Sequence, residues 1–506
     1  MSHSPLPLDT IALDPDAEAP LYRQLYDALR GAILEGRLPA GARLPSSRVL
    51  AGDLNVARNT VLTAFEQLTA EGYLETTVGA GTRIAASLPD HLLEIAKGAS
   101  AKKQKAKSAA DPLSKRGQSL SKLQRLPVGY ERGQARAFTH GLPAIDLFPM
   151  TLWSRILARR ARDRSTGHFG YETSAGNSAL REAIATHVGA ARGVVCTPEQ
   201  VIVTTGAQAA LMLAAQMMVD PMDQVWLEDP GYLGARGAFV GAGADIVPVP
   251  VDDEGINVDE GRKLAPTPRL IYVTPSHQFP LGVTLSLQRR LELLEFARSA
   301  NAWILEDDYD SEYRYTGRPL ASLQGLDRAD RVLYMGTFAK TLFPALRVGY
   351  LIVPENLIDA FRTAIRLTGH VAPAAVQAAL ADFMAEGHYG THVRRMRAIY
   401  AERRLCLINA AKRDLEPWME VSPGDGGMQM VAYLRDGLDD RMIAARAKEA
   451  DIHLSALSTY SLEPASRPGL YLGFAAIPEP QITKATRRFS DLLRATPRPG
   501  NVRSRT

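Results

Sequence analysis

A single lysine, Lys340, lies among small and apolar residues in the stretch GTFAKTLFPALRVGY, residues 336–350. Thr337 precedes this lysine and Arg347 follows it. Most lysines are surface groups whose apolar stem lies on the protein while the ammonium group stays in water. The alternative is an amine that forms a Schiff base with an aldehyde. That chemistry requires the neutral amine, and therefore partial burial or cationic neighbours.

Residues suited to the common aldehyde cofactor, pyridoxal phosphate, occur elsewhere in the chain. The cofactor requires a lysine, an acid beside its pyridine nitrogen and a phosphate cradle. Asp307 ends the apolar run AWILEDDY, and acids at the carboxyl ends of parallel strands point into a ligand crevice. An aspartate there keeps the pyridine nitrogen protonated, and Tyr309 can donate to the ring oxygen. Tyr232, in the loop EDPGYLGAR, can stack its ring on the cofactor.

The phosphate cradle is predicted where the run QVIVTT meets a helix. Gly206, Ala207 and Gln208 open that helix, so its free backbone N–H groups and its dipole suit a dianionic phosphate. Thr337 and Arg347 can complete the cradle through a hydroxyl group and a guanidinium group. The sequence therefore supplies the lysine, the acid and the cradle.

From about residue 137 onwards, short β-branched runs alternate with amphipathic helical stretches. The runs are QVIVTTG, QVWLED, DIVPVPV, LIYVTP, AWILEDD, VLYMGT and VGYLIVP. The helical stretches include ALREAIATHVGAARG and LQRRLELLEFARSA. This alternation indicates a large α/β domain with a mostly parallel sheet, which we place at residues 137–495.

Residues 14–86 predict three helices followed by two short strands. Apolar residues recur at helical spacing in the first helix at Leu21, Leu25, Leu29 and Ile33. Ser46 or Ser47 can cap a second helix, Arg48–Leu54, and a short turn then leads to a third helix. One face of the third helix carries Val61, Ala64, Phe65 and Leu68. The order predicts a helix-turn-helix with a Gly-rich wing, GYLETTVGAGTRIA.

This N-terminal zone resembles the winged helix-turn-helix of the GntR family of bacterial regulators over its whole length, including the segments LPSSRVLA and ARNTV. The resemblance implies that Arg48, Arg58, Asn59 and Thr60 face DNA, while Gly79 and Gly81 bring the wing to the DNA backbone. The chemistry agrees, because arginine pairs with guanine, asparagine pairs with adenine, and hydroxyl groups bind phosphates. Two alternatives to DNA binding remain open. These polar side chains could be only the solvated surface of a small helical domain, or the helix-turn-helix could contact another protein.

Residues 87–136 are rich in Lys, Arg, Ser, Ala and Gln and poor in aromatic residues. Such a stretch cannot bury enough apolar surface to fold alone, so it predicts a flexible basic linker.

Residues from about 137 to 490 resemble a fold-type I, class I aminotransferase. The positions that match the cofactor site of these enzymes are Lys340, Asp307, Tyr309, Tyr232, Thr337, Arg347 and the turn Gly206–Gln208. The resemblance adds Tyr171, in YETSAG, as a tyrosine that reaches the phosphate of a neighbouring subunit. That role implies a dimer with shared sites.

Two departures from the enzyme pattern affect the substrate side of the site. Phe279, preceded by His277 and Gln278, stands where the enzymes have an asparagine near the ring oxygen. Tyr471, in GLYLGFA, stands where they carry an arginine for the substrate carboxylate, and Arg467 lies on a nearby turn. The residues expected to hold an amino-acid substrate are therefore changed, while the cofactor residues are present.

A GntR-type winged helix, a long linker and an aminotransferase-like domain together resemble the MocR subfamily of bacterial transcription regulators. The resemblance implies a head-to-tail homodimer that binds operator DNA and senses pyridoxal 5′-phosphate, a small amine or an amino acid. Two alternatives remain open. The chain could be a catalytically active aminotransferase with an accessory DNA-binding module, or a regulator that senses only the cofactor.

Composition sets broader bounds on the chain of 506 residues. It is 46% hydrophobic and 23% charged, as in ordinary globular proteins, and no apolar run is long enough to span a membrane. The net charge of +4 is too small to indicate a nucleic-acid partner by itself. Cys196 and Cys406 have no neighbouring ligands at metal spacing, so we expect reduced thiols, a cytoplasmic location and no metal site.

Overall fold

The computed structural model describes nine segments of the chain, and the remaining residues are outside this description. The segments are residues 11–77, 81–86, 113–123, 135–163, 175–317, 320–422, 424–435, 437–464 and 467–496. The chain divides into two compact units, residues 1–112 and 113–506. Among the described residues, no helix is both long enough and apolar enough to cross a membrane.

The first unit has the helices and strands that the sequence predicts. They are α1 (Leu21–Leu34), α2 (Ser47–Asp53), α3 (Arg58–Ala70), β1 (Leu74–Thr77) and β2 (Gly81–Ile84), with β1 and β2 paired antiparallel. Ser46 is the cap of α2, and its hydroxyl oxygen accepts a hydrogen bond from the Val49 amide at 3.3 Å. Leu25, Leu29 and Val61 are fully buried between the helices. Each such side chain contributes about 1.5–3 kcal/mol by leaving water.

The second unit contains thirteen helices and twelve strands within its described residues, apart from short 3₁₀ turns. The helices are α4 (Lys115–Lys122), α5 (Met150–Ala161), α6 (Ser178–Arg192), α7 (Ala207–Met218), α8 (Leu233–Ala242), α9 (Val258–Leu264), α10 (Leu287–Ser299), α11 (Leu323–Leu326), α12 (Ile358–Thr368), α13 (Ala374–Ala385), α14 (His388–Asp414), α15 (Asp440–Glu449) and α16 (Glu479–Arg494). The strands are β3 (Val201–Thr204), β4 (Gln224–Asp229), β5 (Asp245–Asp252), β6 (Gly255–Ile256), β7 (Leu270–Val273), β8 (Trp303–Asp308), β9 (Val332–Thr337), β10 (Gly349–Ile352), β11 (Met419–Ser422), β12 (Gln429–Leu434), β13 (Ser455–Ala456) and β14 (Gly469–Gly473).

Eight strands form the main sheet in the order β3-β10-β9-β8-β7-β4-β5-β6. The neighbours from β9 to β5 pair in parallel, which confirms the mostly parallel α/β fold. Strand β10 is antiparallel to both β3 and β9, so β3 points in the same direction as β9. The carboxyl ends of β3, β4, β7, β8 and β9 therefore lie along one edge of the sheet. In open α/β sheets this edge carries the ligand crevice.

A second sheet of four antiparallel strands, in the order β11-β12-β14-β13, packs with α14 and α16 around a separate apolar core. The backbone of Phe138 bridges to Gly473 at the end of β14. A Cβ atom on Gly473 would lie 2.1 Å from the Thr139 carbonyl oxygen, so only glycine allows this approach. The contact holds residues 138–141 against the sheet, with Gly141 next to Lys340, the lysine that follows β9.

The structure departs from the expected flexible linker over 87–136 in its one described stretch before residue 135. Residues 115–122 form helix α4, with the Ser114 hydroxyl accepting a hydrogen bond from the Gly117 amide at 3.1 Å. Leu120 and Leu123 lie against Gly241 and Gly237 of α8. This part of the stretch folds because the two leucines give it an apolar face that can pack on α8. The average composition of residues 87–136 conceals that face. At least this part of the linker belongs to the second unit.

Candidate functional site

Lys340 lies just beyond the carboxyl end of β9 and is half-buried. Its Nζ atom donates a hydrogen bond to the Gly141 carbonyl oxygen at 2.8 Å. Gly141 has a φ of 71°, and a Cβ atom added there would lie 2.8 Å from Nζ, so the contact requires glycine. Burial lowers the pKa of Lys340, although the charges of Asp310 and Asp307 act in the opposite direction. A lowered pKa favours the neutral amine that can attack an aldehyde.

Asp307 lies near the carboxyl end of β8 and is only 4% exposed. Its Oδ2 atom accepts a hydrogen bond from the Tyr272 hydroxyl group at 2.7 Å. Its Oδ1 atom is buried and has no hydrogen-bond partner among the described residues. Burial raises the pKa of Asp307 to about 7, and the Tyr272 bond opposes this rise. A protonated ring nitrogen would give Oδ1 its missing donor, so this carboxylate fits the pyridine of pyridoxal phosphate.

The predicted phosphate turn lies at the amino end of α7, directly after β3. Gly206 precedes the helix with a φ of 95°, and Ala207 is its first residue. The exposed Arg347 lies beside this turn, because a Cβ atom on Gly206 would be 3.9 Å from the Arg347 guanidinium carbon. The backbone of Gly349 on β10 also runs close to the turn. Helix N–H groups and a guanidinium group therefore lie close together, and this arrangement suits a phosphate.

Two further residues predicted for the cradle already have local partners. Thr337, at the end of β9, is buried, and its hydroxyl oxygen accepts a hydrogen bond from the Ala339 amide at 3.2 Å. Gln208, in the first turn of α7, donates from Nε2 to the Gly234 carbonyl oxygen at 3.0 Å. The Gln208 bond ties α7 to α8, the helix that follows Tyr232. The structure therefore places these residues at the same sheet edge, with Gln208 joining the two helices.

Phe279 lies at the centre of a group of aromatic rings beside the lysine. The distances between its ring centroid and those of the four tyrosines are 5.4 Å to Tyr232, 6.2 Å to Tyr309, 5.1 Å to Tyr460 and 5.4 Å to Tyr471. Tyr232 and Tyr309, predicted to stack on the cofactor and to donate to its ring oxygen, thus share one aromatic wall. Phe279, which replaces the asparagine of the enzymes, supplies an apolar ring there instead of a hydrogen bond.

Tyr309 also belongs to a network of hydrogen bonds between polar groups. Its hydroxyl group donates to the His277 carbonyl oxygen at 2.9 Å and lies 3.0 Å from His277 Nδ1. His277 Nδ1 is 3.2 Å from the Asp310 carboxylate. Gln429 donates to the same carboxylate at 3.4 Å and accepts from the Gly141 amide at 3.1 Å. This hydrogen-bond network therefore connects Tyr309 to Gly141, whose carbonyl oxygen accepts the hydrogen bond from Lys340.

Several residues of this site escaped the sequence reasoning. They are Gly141, His140, Tyr272, Asp310 and Gln429. Tyr272 carries a signal in retrospect, because it is a polar side chain inside the apolar run LIYV of β7. Asp310 is also visible as the last acid of EDDYD. His140, Gly141 and Gln429 come from distant parts of the chain, and no local pattern marks them.

Tyr171 and Gly79 lie outside the described residues, so their predicted roles stay predictions. In the first unit, Arg48, Arg58 and Asn59 are exposed and Thr60 is half-buried. Arg58 is the first residue of α3, and its Nε atom donates to the Ser47 hydroxyl oxygen at 3.4 Å. The first turns of α2 and α3 therefore lie together, as a helix-turn-helix requires.

One arginine beside the wing was missed by sequence reasoning. Gly81, which begins β2, is exposed and has a φ of 85°. A Cβ atom on Gly81 would lie 3.1 Å from Arg43 Nε, so Arg43 lies along the wing. Arg43 is exposed, and its backbone bridges to Arg83 on β2. Its signal in the sequence is weak, because it follows the loop GRLPAGA rather than a helix.

Glu228 provides a test of how strongly this sheet edge is buried. Burial raises its pKa to about 8, and hydrogen bonds donated by Thr274 oppose the rise. The unfolded chain has the lower pKa, near 4.5, so the folded state holds a proton that the unfolded state has released. This glutamate therefore makes the free energy of unfolding fall as pH rises from about 4.5 to about 8, by at most about 1.4 kcal/mol per pH unit.

We expect Glu228→Gln to remove that part of the pH dependence. The thermal midpoint of the variant relative to the wild type should increase as pH rises across this window, measured by calorimetry on cofactor-free protein. A difference in midpoint that stays constant with pH would show that Glu228 titrates normally.

Comparison with known proteins identifies a family for each unit. Residues 153–489 match the model for aminotransferase class I and II, and residues 21–84 match that for bacterial regulatory proteins, gntR family. The probable rhizopine catabolism regulatory protein MocR of Rhizobium meliloti is 44% identical over 92% of this chain and 92% of its own length. The HTH-type pyridoxine biosynthesis transcriptional regulator PdxR of Corynebacterium glutamicum is 32% identical over 96% of this chain and 98% of its own length.

A solved structure matches the second unit. The α-aminoadipate aminotransferase LysN of Thermus thermophilus, in complex with N-(5′-phosphopyridoxyl)-L-leucine, has a TM-score of 0.66 and 28% identity. The match covers 71% of this chain and 92% of that chain. The gntR region precedes the aminotransferase region in the chain, and the match to MocR extends over nearly the whole chain. The chain therefore belongs to the MocR subfamily of GntR-type transcription regulators, DNA-binding proteins with an aminotransferase class I and II domain.

Proposed function

We propose that this regulator holds pyridoxal 5′-phosphate at Lys340 and that the state of this site controls its binding to operator DNA. The observation that carries the proposal is the buried, unpartnered Oδ1 atom of Asp307 at the sheet edge that also presents Lys340. A buried carboxylate oxygen without a donor is costly, and a protonated pyridine removes that cost. The phosphate would lie between the Gly206 turn and Arg347.

The cofactor, when bound, supplies an aldehyde carbon that amines attack and a ring that withdraws electrons. The chain's own residues then have separate tasks. Lys340 provides the attacking amine, and its contact with Gly141 orients Nζ. Asp307 keeps the ring nitrogen protonated, and Tyr232 covers the ring. Phe279, Tyr460 and Tyr471 exclude water from one side of the site, which strengthens the electrostatic contacts within it.

The effector is a small amine or the cofactor itself. The name of MocR refers to rhizopine catabolism and that of PdxR to pyridoxine biosynthesis. Because this chain is similar to both over nearly its whole length, we propose that it too regulates a small catabolic or biosynthetic gene set in response to such a molecule. The homodimer with shared cofactor sites, arranged head to tail, remains part of the proposal through Tyr171.

An aminotransferase with an accessory DNA-binding module is the competing function. The intact Lys340, Asp307 and Tyr309 favour it, while Phe279 and Tyr471 argue against it. The experiment compares sustained turnover of an amino donor and a keto acid with specific binding to the promoter region beside the gene. We expect specific DNA binding without sustained turnover. Turnover without specific binding would replace the proposed function with the enzymatic one.

A further inference from the structure

We propose that helix α4 docks reversibly on α8, and that this docking couples the cofactor site to the length of chain that joins the DNA-binding unit to the second unit. This inference rests on the proposed function, because it names the element through which the cofactor site acts on operator binding. It makes Leu120 and Leu123, two residues of the predicted linker, determinants of the half-site spacing that the protein accepts.

The contact between α4 and α8 is made by apolar side chains that lie on a glycine backbone. A Cβ atom on Gly241 would lie 3.5 Å from Leu120 Cδ2, and a Cβ atom on Gly237 would lie 3.9 Å from Leu123 Cδ1. A side chain longer than that of alanine at either glycine would therefore displace a leucine. Within the described segments, no hydrogen bond or ion pair joins α4 to another element, so this apolar contact holds the helix in place.

Helix α4 is too short to persist without this contact. It has eight residues, none of them buried, and Leu120 is still 42% exposed. Isolated helices shorter than about 12–15 residues are marginal in water, because few hydrogen bonds offset the cost of forming the first turn. The Ser114 hydroxyl group satisfies one of the free N–H groups at the start of α4, that of Gly117. Folding of α4 is therefore coupled to its docking.

The first turn of α8 contacts two residues that are predicted to hold the cofactor. Tyr232 directly precedes α8, and a Cβ atom on Gly234 would lie 2.5 Å from the Tyr232 ring. Gln208, in the turn predicted to bind the phosphate, donates from Nε2 to the Gly234 carbonyl oxygen at 3.0 Å. Gly237 and Gly241 follow Gly234 by three and seven residues, so all three glycines lie on one face of α8. A shift of Tyr232 or Gln208 therefore shifts the surface on which α4 lies.

Docking of α4 determines how much chain joins the two units. With α4 docked, the connection is the 26 residues 87–112, and with α4 released it is the 48 residues 87–134. These added residues span at most about 75 Å, or roughly two turns of DNA. Composition predicts a flexible chain over 87–136, so the longer connection lowers the effective concentration at a second half-site roughly 2.5-fold. Release of α4 therefore weakens binding to close half-sites and permits binding to distant ones.

The first experiment measures half-site spacing with cofactor-loaded, full-length protein. The probe is the promoter fragment beside the gene, with the two half-sites located by footprinting and then separated by one, two or three additional helical turns. Leu120→Ser combined with Leu123→Ser should bind the natural spacing roughly 2.5-fold more weakly than the wild type. The same double variant should bind the fragment with two additional turns more tightly than the wild type does. Ser121→Ala, at an exposed position of α4, is the matched control and should behave as the wild type.

Hydrogen exchange of the peptide 113–123 measures docking itself. We expect its amides to exchange at least about threefold more slowly in cofactor-loaded than in cofactor-free wild type, and rapidly in the double variant in both states. Gly241→Leu is an independent variant, because it fills the place of Leu120 from the α8 side and leaves α4 unchanged. Leucine favours a helix more than glycine does, so α8 stays formed while α4 exchanges rapidly. Cofactor absorbance and the thermal midpoint show that each variant is folded.

Three results would overturn the inference. They are identical dependence on half-site spacing in the wild type and the double variant, slow exchange of 113–123 in the folded double variant, and equal exchange in wild type with and without cofactor. A wild-type protein that gives any of these results while it holds cofactor and binds its operator contradicts the inference alone. A wild-type protein that holds no cofactor contradicts the proposed function.

Discussion

We expect Lys340→Ala to abolish the covalent attachment of pyridoxal 5′-phosphate and to leave at most weak, non-covalent binding. The physical reason is that Lys340 lies close enough to Asp307 for their charges to interact, and burial lowers the pKa of Lys340, which favours the neutral, nucleophilic amine. The wild type should be yellow, and borohydride should fix the cofactor to it irreversibly. The measurement is the intact mass after borohydride treatment, together with the visible absorbance of the same samples.

Lys263→Ala is the matched control for this experiment. Lys263 is exposed on α9 and pairs with Glu260 at 2.7 Å, away from the sheet edge. Its variant should retain the absorbance and the mass increase of the wild type. A Lys340→Ala protein that still gains the mass of the reduced cofactor would show that another amine carries it.

We expect Arg58→Ala to weaken specific operator binding by about 1–3 kcal/mol, or roughly 5- to 150-fold, if Arg58 reads a base. Arg58 opens α3 and is exposed, with its guanidinium group beside the first turn of α2. Removing a base contact should also relax the preference for the operator over unrelated DNA. Fluorescence anisotropy with operator and scrambled duplexes at several salt concentrations measures both effects.

Arg23→Ala provides a variant of equal charge in the same unit. Arg23 lies on α1 and pairs with Asp27 at 3.3 Å, outside α2, α3 and the wing. We expect it to reduce affinity for both duplexes only slightly. If Arg58→Ala and Arg23→Ala behave alike on the operator, α3 does not read the major groove through Arg58. Lys102, Lys103, Lys105 and Lys107 lie outside the described residues. We expect their removal to reduce the salt dependence rather than the specificity.

Local signals in the sequence were sufficient to predict the helices and strands of the first unit and seven of the eight strands of the main sheet. The Ser46 cap and the apolar spacing of α1 and α3 act within a few residues, so pattern and structure agree. The seven β-branched runs became strands for the same reason. Helix α4 was missed, because the average composition of 87–136 concealed Leu120 and Leu123.

The long-range contacts of the site could not be predicted from local patterns. Lys340 and Gly141 are 199 residues apart, and Gly141 and Gln429 are 288 residues apart. The first contact depends on Gly473, which admits the backbone of Thr139, and this close approach carries no periodic signal. The second sheet of four strands was also not predicted. Tyr471 could be identified as a departure, but its contacts with the rings of Phe279, Tyr460 and His140 emerged only from the fold.

The most direct test of the central proposal is operator affinity in three states of the full-length protein. These states are cofactor-free, cofactor-loaded, and cofactor-loaded with a saturating small primary amine. We expect the affinity to change between states by roughly 5- to 150-fold, the range of a coupling energy of about 1–3 kcal/mol. Because coupling is reciprocal, operator DNA should change cofactor affinity by the same factor. Equal operator affinities in all three states, on a duplex long enough for two DNA-binding units, would contradict the account and leave the aminotransferase-like unit without a regulatory role.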